Sequence, residues 1–424
     1  VRNWAGNVRF GADEIVRPRS VAELQEIVAI CAAAGRRVHA LGAAHSFSRV
    51  ADTDGVLIVT DDLSRIVDVG ASSVTVEGGL RYADLGPALH RRGLALHNLP
   101  SLPHLSVAGA VATGTHGSGD GNGNLATAVD ALELVTPDGE LVTITRDDPA
   151  WPAAAVGLGA LGIVARASLR VESTFDIAQT VHLDVPFRAG VTHLGSILGS
   201  AYSVSLFTDW TGDRFHQVWR KHRIDGPLDT PLDTPLDRAV DELLGPPADT
   251  DVHPLPGLSA EACTEQHGEP GPWHERLPHF RAEATPSAGA ELQSEYFVDR
   301  RDAPSALLAL REMTSELCPL ALVTEVRSIA ADDIWLSPAF ARESVGLHFT
   351  WRLEPRRVAA ILPHIEEALA PFAPRPHWAK LSTMAPATVR SRYPRFDDFA
   401  RCRDQLDPGG TFGNPYLDDL FGGR

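Results

Sequence analysis

Residues 101–124, SLPHLSVAGAVATGTHGSGDGNGN, contain six glycines and a single charged side chain, Asp120. Such a stretch suits turns that bring backbone close to another surface. A second stretch of the same character, LGAAHSFS at residues 41–48, follows the short apolar run Arg37–Leu41 and presents His45. Exposed amides in Gly and Ala turns form concavities that accept anions. Two such turns, about 60 residues apart in the chain, point to a ligand longer than one phosphate. The alternative is a pair of loops with no ligand.

Three familiar motif readings fail. GLGALG, residues 157–162, matches G-x-G-x-x-G, but Ile163–Val171 behind it alternates like a strand. A dinucleotide fold needs a helix there to receive the pyrophosphate. A close backbone approach in a turn is the better reading. GTHGSGDGNG has no lysine after its glycines, so it is not a P-loop. HERLPH, residues 274–279, spaces its histidines one place too far for H-E-x-x-H, and Pro278 would break the helix. No metal site is expected.

Elsewhere the pattern mixes helices and short strands. Ser20-Val21-Ala22-Glu23 is a capping box, followed by Leu24, Ile27, Val28 and Cys31 at helical spacing and by Gly35 as a stop. Strands are expected at 37–41, 56–60, 66–69, 74–77, 131–137, 140–145 and 163–171, with a second helix at 82–92. A domain break falls near 171–176. Beyond it, strands are expected at 202–210, 293–298, 322–329 and 345–353, and helices at 303–316 and 358–369. LDTPLDTPLD, residues 228–237, reads as an acidic surface loop.

At roughly 100–200 residues per domain, 424 residues make two domains. Asp plus Glu exceeds Lys plus Arg, 55 to 38, and the net charge of −17 argues against nucleic acid or an anionic membrane as partner. No apolar run approaches the ~18–20 residues of a membrane span, and VRNWAGNVRF has no apolar signal core. Cys31, Cys263, Cys318 and Cys402 form no C-x-x-C pair. A reducing cytoplasm therefore fits, and a monomer is expected.

In the second half, Glu325 and Arg327 flank Val326, and His348 and Thr350 flank Phe349. On a strand, i and i+2 share a face. Charges on a covered sheet face are costly unless paired or used. An ordinary Glu–Arg–His network and a binding site both remain open at this point.

From Arg17 to Gly119 the chain resembles the FAD-binding domain of the vanillyl-alcohol-oxidase flavoprotein family. The marks are the helix opening SVAEL, a strand, LGAAHSF, EGGLRYADL and SVAGAVATGTHGSG. AYSVSLFTDW, CTEQHGEPGPWHERLPHFRAE, GAELQSEYF, WLSPAF, HFTW, RPHWAK and LDPGGTFGNPY extend the similarity, specifically to the alditol (xylitol/sorbitol) oxidases, over nearly the whole chain. The resemblance implies an α+β fold. Residues 1–175 and 376–424 would form the FAD-binding domain, and 176–375 an α+β substrate (cap) domain.

The resemblance further implies that His45 is bonded to the 8α-methyl of FAD. Ala40, Leu41, Gly42, Ala43, Ala44, Ser46, Ser106, Val107, Gly109, Thr113, Gly114, Thr115, His116, Gly117 and Ile163 would contact the cofactor. Ser106, Glu325, Arg327, His348, Thr350 and Lys380 would bind a polyol, with Arg327, Lys380 and Glu325 catalytic. The implied reaction oxidises the terminal C1 hydroxyl of an alditol to the aldose and reduces O2 to hydrogen peroxide. The alternative is an aldonolactone oxidase or dehydrogenase of the same fold. Arg327 stays protonated and cannot be the base; Lys380 could be, if its pKa is depressed. The commoner G-x-G-H-S turn has glycine where this chain has Ala44. Alanine is expected there only at negative φ, with a small shift of the loop that holds the pyrophosphate.

Overall fold

The computed structural model describes residues 1–224, 235–284 and 290–422. Ser20 caps the helix Val21–Ala33. Its Oγ accepts the Glu23 amide at 3.1 Å, and the Glu23 carboxylate reaches back to the Arg19 amide at 2.7 Å. Gly35, at φ 67°, ends the turn. The helix buries Leu24, Val28 and Cys31 against a parallel three-stranded sheet, ordered Glu14–Val16, Val56–Val59, Val38–Leu41. An antiparallel five-stranded sheet follows, ordered Ile66–Val69, Ser73–Glu77, Ile163–Arg170, Val129–Val135, Leu141–Thr145.

The largest element is an antiparallel sheet of eight strands. Its order is Gly271–Pro272, Asp176–Pro186, Arg214–Ile224, Ser203–Thr208, Ala321–Ile329, Ser344–Arg352, Glu291–Asp299, Arg375–Pro376. One face is apolar. Val204, Leu206, Val326, Leu347, Phe349, Trp351, Leu292 and Tyr296 pack there with Leu307 and Leu310 of helix Ala303–Glu312 and with Val358, Ile361 and Ile365 of helix Pro355–Leu369. The alternate residues of the same strands are therefore driven to the opposite face, which fronts the Gly-rich turns.

Several expectations need correction. The helix expected over 303–316 is interrupted at Met313, giving Ala303–Glu312 and Thr314–Leu317. Residues 228–234 of LDTPLDTPLD lie outside the described residues, and the last three, read as loop, open the helix Pro235–Leu244 instead. Proline is tolerated at a helix start because its missing N–H has no partner there anyway. The long strands Asp176–Pro186 and Arg214–Ile224 were not anticipated. Among the described residues no helix is long and apolar enough to cross a membrane, and the four cysteines are unpaired.

Candidate active site

A cleft of ≈ 1670 Å³, counting its open mouth, runs between the Gly-rich turns and the polar face of the large sheet. On the turn side lie Ala40–Ser46, Ser106, Gly109, Thr113, Thr115 and His116. Leu158, Gly159 and Gly162 of GLGALG join them. That motif is a turn packed close to neighbours. Leu158 and Gly159 take φ 53° and 73°, and a Cβ on Gly159 would come 2.8 Å from the His39 ring. A strand follows it, as the alternation predicted.

The His45 turn is clamped by the first residues of the chain. The Trp4 amide donates to Ala44 O at 2.8 Å, Asn3 Nδ2 to Ser46 O at 2.9 Å, and Asn7 Nδ2 to Phe47 O at 2.9 Å. The Trp4 indole stacks on the His45 imidazole, with centroids 4.7 Å apart and planes 23° apart. Burial pushes His45 down to about 4, with His104 and Arg81 adding to the effect. The ring is neutral at physiological pH.

Ala44 does not take the negative φ expected of alanine; it sits at φ 56°. The left-handed region costs an L-residue about 1–2 kcal/mol, and the Trp4 bond to the Ala44 carbonyl and the Asn3 bond to the Ser46 carbonyl hold it there. Ala44→Gly is expected to keep stability within about 1 kcal/mol of wild type, because relief of strain is offset by a freer unfolded chain. Ala44→Val, β-branched, is expected to lose roughly 2 kcal/mol or more and to show a lower thermal midpoint. Equal midpoints for the two variants would refute a strained position.

The polar face is built by register. Glu295 pairs with His348, which pairs with Glu325, so one row crosses three strands. The row on one side is Gln293, Thr350, Val323; the row on the other is Phe297, Gly346, Arg327. Gly346 has a reason: a Cβ there would come 2.9 Å from Glu295 Oε1. Arg327 Nη2 donates to Glu295 Oε1 at 3.1 Å, and its Nε lies 3.4 Å from Glu325 Oε2. Lys380 Nζ donates to Glu295 Oε2 at 2.6 Å and lies 2.5 Å from His348 Nδ1. Burial works to raise the Glu325 carboxyl, but Arg327 and the His279 ring hold it well below the usual carboxylate range. Burial, reinforced by Lys380, pushes His348 down to about 4.

Every residue read as substrate-binding lines this cleft: Ser106, Glu325, Arg327, His348, Thr350 and Lys380. Of the residues read as cofactor contacts, Val107, Gly114, Gly117 and Ile163 do not line it. Val107 and Ile163 are buried in apolar cores. Four functional positions escaped sequence reasoning. Glu291, Gln293 and Glu295 alternate along GAELQSEYF, the same period that singled out Glu325 and Arg327, and all three face the cleft. His279, the last residue of HERLPH, puts Nε2 2.8 Å from Glu325 Oε1. Its loop is tied down by buried Lys221, which donates to the carbonyls of Arg276, Leu277 and Pro278 at 2.8, 2.5 and 3.1 Å.

The turn side fits the FAD that the resemblance implies. The amides of Ala44, His45 and Ser46 donate to no protein acceptor among the described residues, which leaves them for an anionic ligand. Gly42 and Gly109 both crowd Ser106 Oγ; a Cβ would approach it to 2.1 and 2.8 Å. Any larger residue there would narrow the cradle. Ala108, Ala110, Ala112 and Val164 supply apolar wall suited to a flat ring system.

Comparison with known proteins agrees. Residues 12–145 match the family described as FAD binding domain, and residues 290–420 match D-arabinono-1,4-lactone oxidase. An alditol oxidase of Streptomyces sp. is 46% identical over 432 residues, covering 100% of this chain and 99% of that one. An L-gulono-1,4-lactone dehydrogenase of Mycobacterium tuberculosis is 32% identical, covering 99% and 98%. In fold, the chain superimposes on a cholesterol oxidase from B. sterolicum with a TM-score of 0.76 at 14% identity, covering 99% of this chain and 96% of that one. With a cradle for FAD on one side of the cleft and relatives matched from end to end, the chain belongs to the vanillyl-alcohol-oxidase family of flavoprotein oxidoreductases.

Proposed function

We propose that the protein oxidises the terminal C1 hydroxyl of alditols such as xylitol and sorbitol to the aldose, with FAD held covalently through His45 and O2 reduced to hydrogen peroxide. Residues 1–175 and 376–424 hold the cofactor, and 176–375 the substrate. The observation that supports this most is the composition of the polar face. Glu295 and Glu325 balance Arg327 and Lys380, burial pushes the Glu291 carboxyl up to about 7, and Thr350, His348, Gln293 and Ser106 add neutral donors and acceptors. A charge-balanced wall rich in both donors and acceptors suits an uncharged polyol, each of whose hydroxyls needs one of each.

Gly42–Ser46, Ser106, Gly109, Thr113 and Thr115 would hold the cofactor, which when bound supplies the hydride acceptor. The chain's side chains do the remainder. Glu325 accepts from a substrate hydroxyl, its own position fixed by His279 and Arg327. Arg327, buried and always charged, steadies negative charge developing on the reacting oxygen. Lys380 is lowered by burial, raised by Glu295 and lowered again by Arg327. A depressed lysine at the cleft wall can take the hydroxyl proton.

Lactone oxidation is the second reading, favoured by the match of residues 290–420 to D-arabinono-1,4-lactone oxidase. Anaerobic mixing separates the two. Xylitol or sorbitol is expected to bleach the flavin absorbance, and in air to yield one peroxide per polyol. L-gulono-1,4-lactone is expected to act far more slowly. Bleaching by the lactone alone would reverse the assignment.

A further inference from the structure

Glu295 has no exposed surface and touches three groups that carry protons: Arg327, Lys380 and His116. The third contact is the informative one. His116 Nδ1 lies 2.7 Å from the carbonyl of Gly117. A carbonyl only accepts, so Nδ1 carries a proton. In a neutral imidazole, Nε2 would then aim a lone pair at Glu295 Oε1, 3.1 Å away. Two acceptors facing each other in a buried site are strongly unfavourable. A proton between them converts the contact into a charge-assisted hydrogen bond.

Lys380 can supply that proton. Glu295 Oε2 accepts from one of its N–H bonds; with the His348 ring proton placed on Nε2, facing Thr350 Oγ1 at 3.3 Å, His348 Nδ1 accepts from a second. An ammonium has a third N–H; an amine has a lone pair in its place. Passing one proton from Lys380 to His116 leaves the number of buried charges unchanged. Burial outweighs Glu295 and lowers both groups on balance, and Arg327 lowers both further; both cations are thus disfavoured, and hydrogen-bond geometry decides which of the two keeps the proton.

We propose that the resting proton lies on His116, bonded to Glu295, and that Lys380 stands as the neutral amine with its lone pair open to the cleft. Glu295, Glu291, His348, Arg327, Glu325, His377 and His116 are the charged and titratable groups facing Lys380, and burial pushes Glu291 up to about 7. When the polyol reacts, its O–H bond breaks and the proton joins Lys380 Nζ. The electron pair of that bond forms the C=O as hydride leaves to the flavin. His116 is thus a positioning residue that keeps the base ready. His116, Glu295 and His377 also have the types and spacing of a cation site. Arg327 and the His116 imidazolium already neutralise that carboxylate, and a protonated His116 has no lone pair to offer, which disfavours a metal ion.

The role of Lys380 as base rests on the alditol-oxidising reading; the position of the proton does not. The first measurement is therefore made on oxidised, substrate-free holoenzyme labelled with 15N-histidine, with the His116 signal assigned by its loss in His116→Asn. An imidazolium signal persisting at pH 7–8 is expected in the wild type. In Glu295→Gln, whose amide can donate to Nε2, His116 is expected in the neutral Nδ1–H form. A neutral His116 in the wild type at pH 7 overturns the proposal.

The second measurement is the pH dependence of anaerobic flavin reduction by xylitol. His116→Asn can donate to Glu295 without storing a proton, so Lys380 keeps its own. The acid limb then moves up by about one pH unit, a loss of about tenfold below it. Glu295→Gln removes the charge that favours the ammonium and moves the limb down. An acid limb unmoved in His116→Asn overturns the proposal. A wild type that xylitol never reduces rejects the alditol reading and leaves the proton to be placed by the spectra.

Discussion

Replacing Arg327 by methionine is expected to slow flavin reduction by xylitol about 10²–10³-fold, the usual effect of removing one preorganised donor aimed at developing negative charge. Arg327 is almost fully buried, with Nη1 3.1 Å from Ser101 Oγ, Nη2 on Glu295 and Nε facing Glu325. Methionine fills much of the volume but supplies no donor. Arg327→Lys keeps the charge without the fork, so it cannot span both carboxylates, and an intermediate rate is expected. The change also bears on stability. Arg327 and His279 hold Glu325 well below its unfolded value despite burial. A carboxylate depressed on folding contributes stability above its unfolded pKa, and that contribution fades as pH falls through the folded pKa. Without Arg327 the folded pKa rises, so Arg327→Met is expected to lose stability at a higher pH than wild type. Single-turnover stopped-flow gives the rate, and urea unfolding between pH 4 and 8 gives the second effect. A rate within tenfold of wild type would remove Arg327 from the chemistry.

The parts of this molecule legible in the sequence are those where one face is buried or one turn is unusual. The capping box at Ser20 and Glu23 and the strand before His45 follow from local rules that packing did not override. Glu325 with Arg327, and His348 with Thr350, were visible as polar pairs because their neighbours Val326 and Phe349 belong to the apolar core. The long strands Asp176–Pro186 and Arg214–Ile224 were not visible. RFHQVWRKHRI buries His216, Gln217, Arg220 and Lys221 on its two faces, where the carbonyls of Pro254, His253 and Arg276 and the Asp241 carboxylate accept from them. A strand covered on both sides with polar groups shows no alternation of hydrophobicity. Glu295 escaped for a different reason. Its partners are Lys380, Arg327 and His116, from three distant segments that only the tertiary fold brings together. His279 shows the same limit. HERLPH has the wrong spacing for metal, and its last histidine gains a role only because buried Lys221 fastens the loop over Glu325.

His45→Ala is expected to abolish covalent flavin while leaving the protein folded and able to bind free FAD. The imidazole is one ring on a turn whose backbone is held by Trp4, Asn3 and Asn7. Removing the ring leaves those bonds and the Ala44–Ser46 amides in place. Wild-type protein precipitated in acid should give a yellow pellet; the variant should release its colour to the supernatant and show no fluorescent band on a denaturing gel. Attachment needs a neutral ring nitrogen, and burial keeps His45 neutral down to about pH 4. The covalent fraction formed by apo-protein with added FAD should therefore be constant from pH 6 to 8. An exposed histidine near 6.5 would instead lose reactivity across the lower end of that range. Trp4→Ala keeps the nucleophile but loses the stack that orients it, so attachment should be slower yet complete. These three results separate the nucleophile from the cradle. Colour retained in the pellet of His45→Ala would mean that another side chain makes the bond. Failure of that variant to bind FAD at all would mean that the imidazole ring, not the amides around it, carries the affinity.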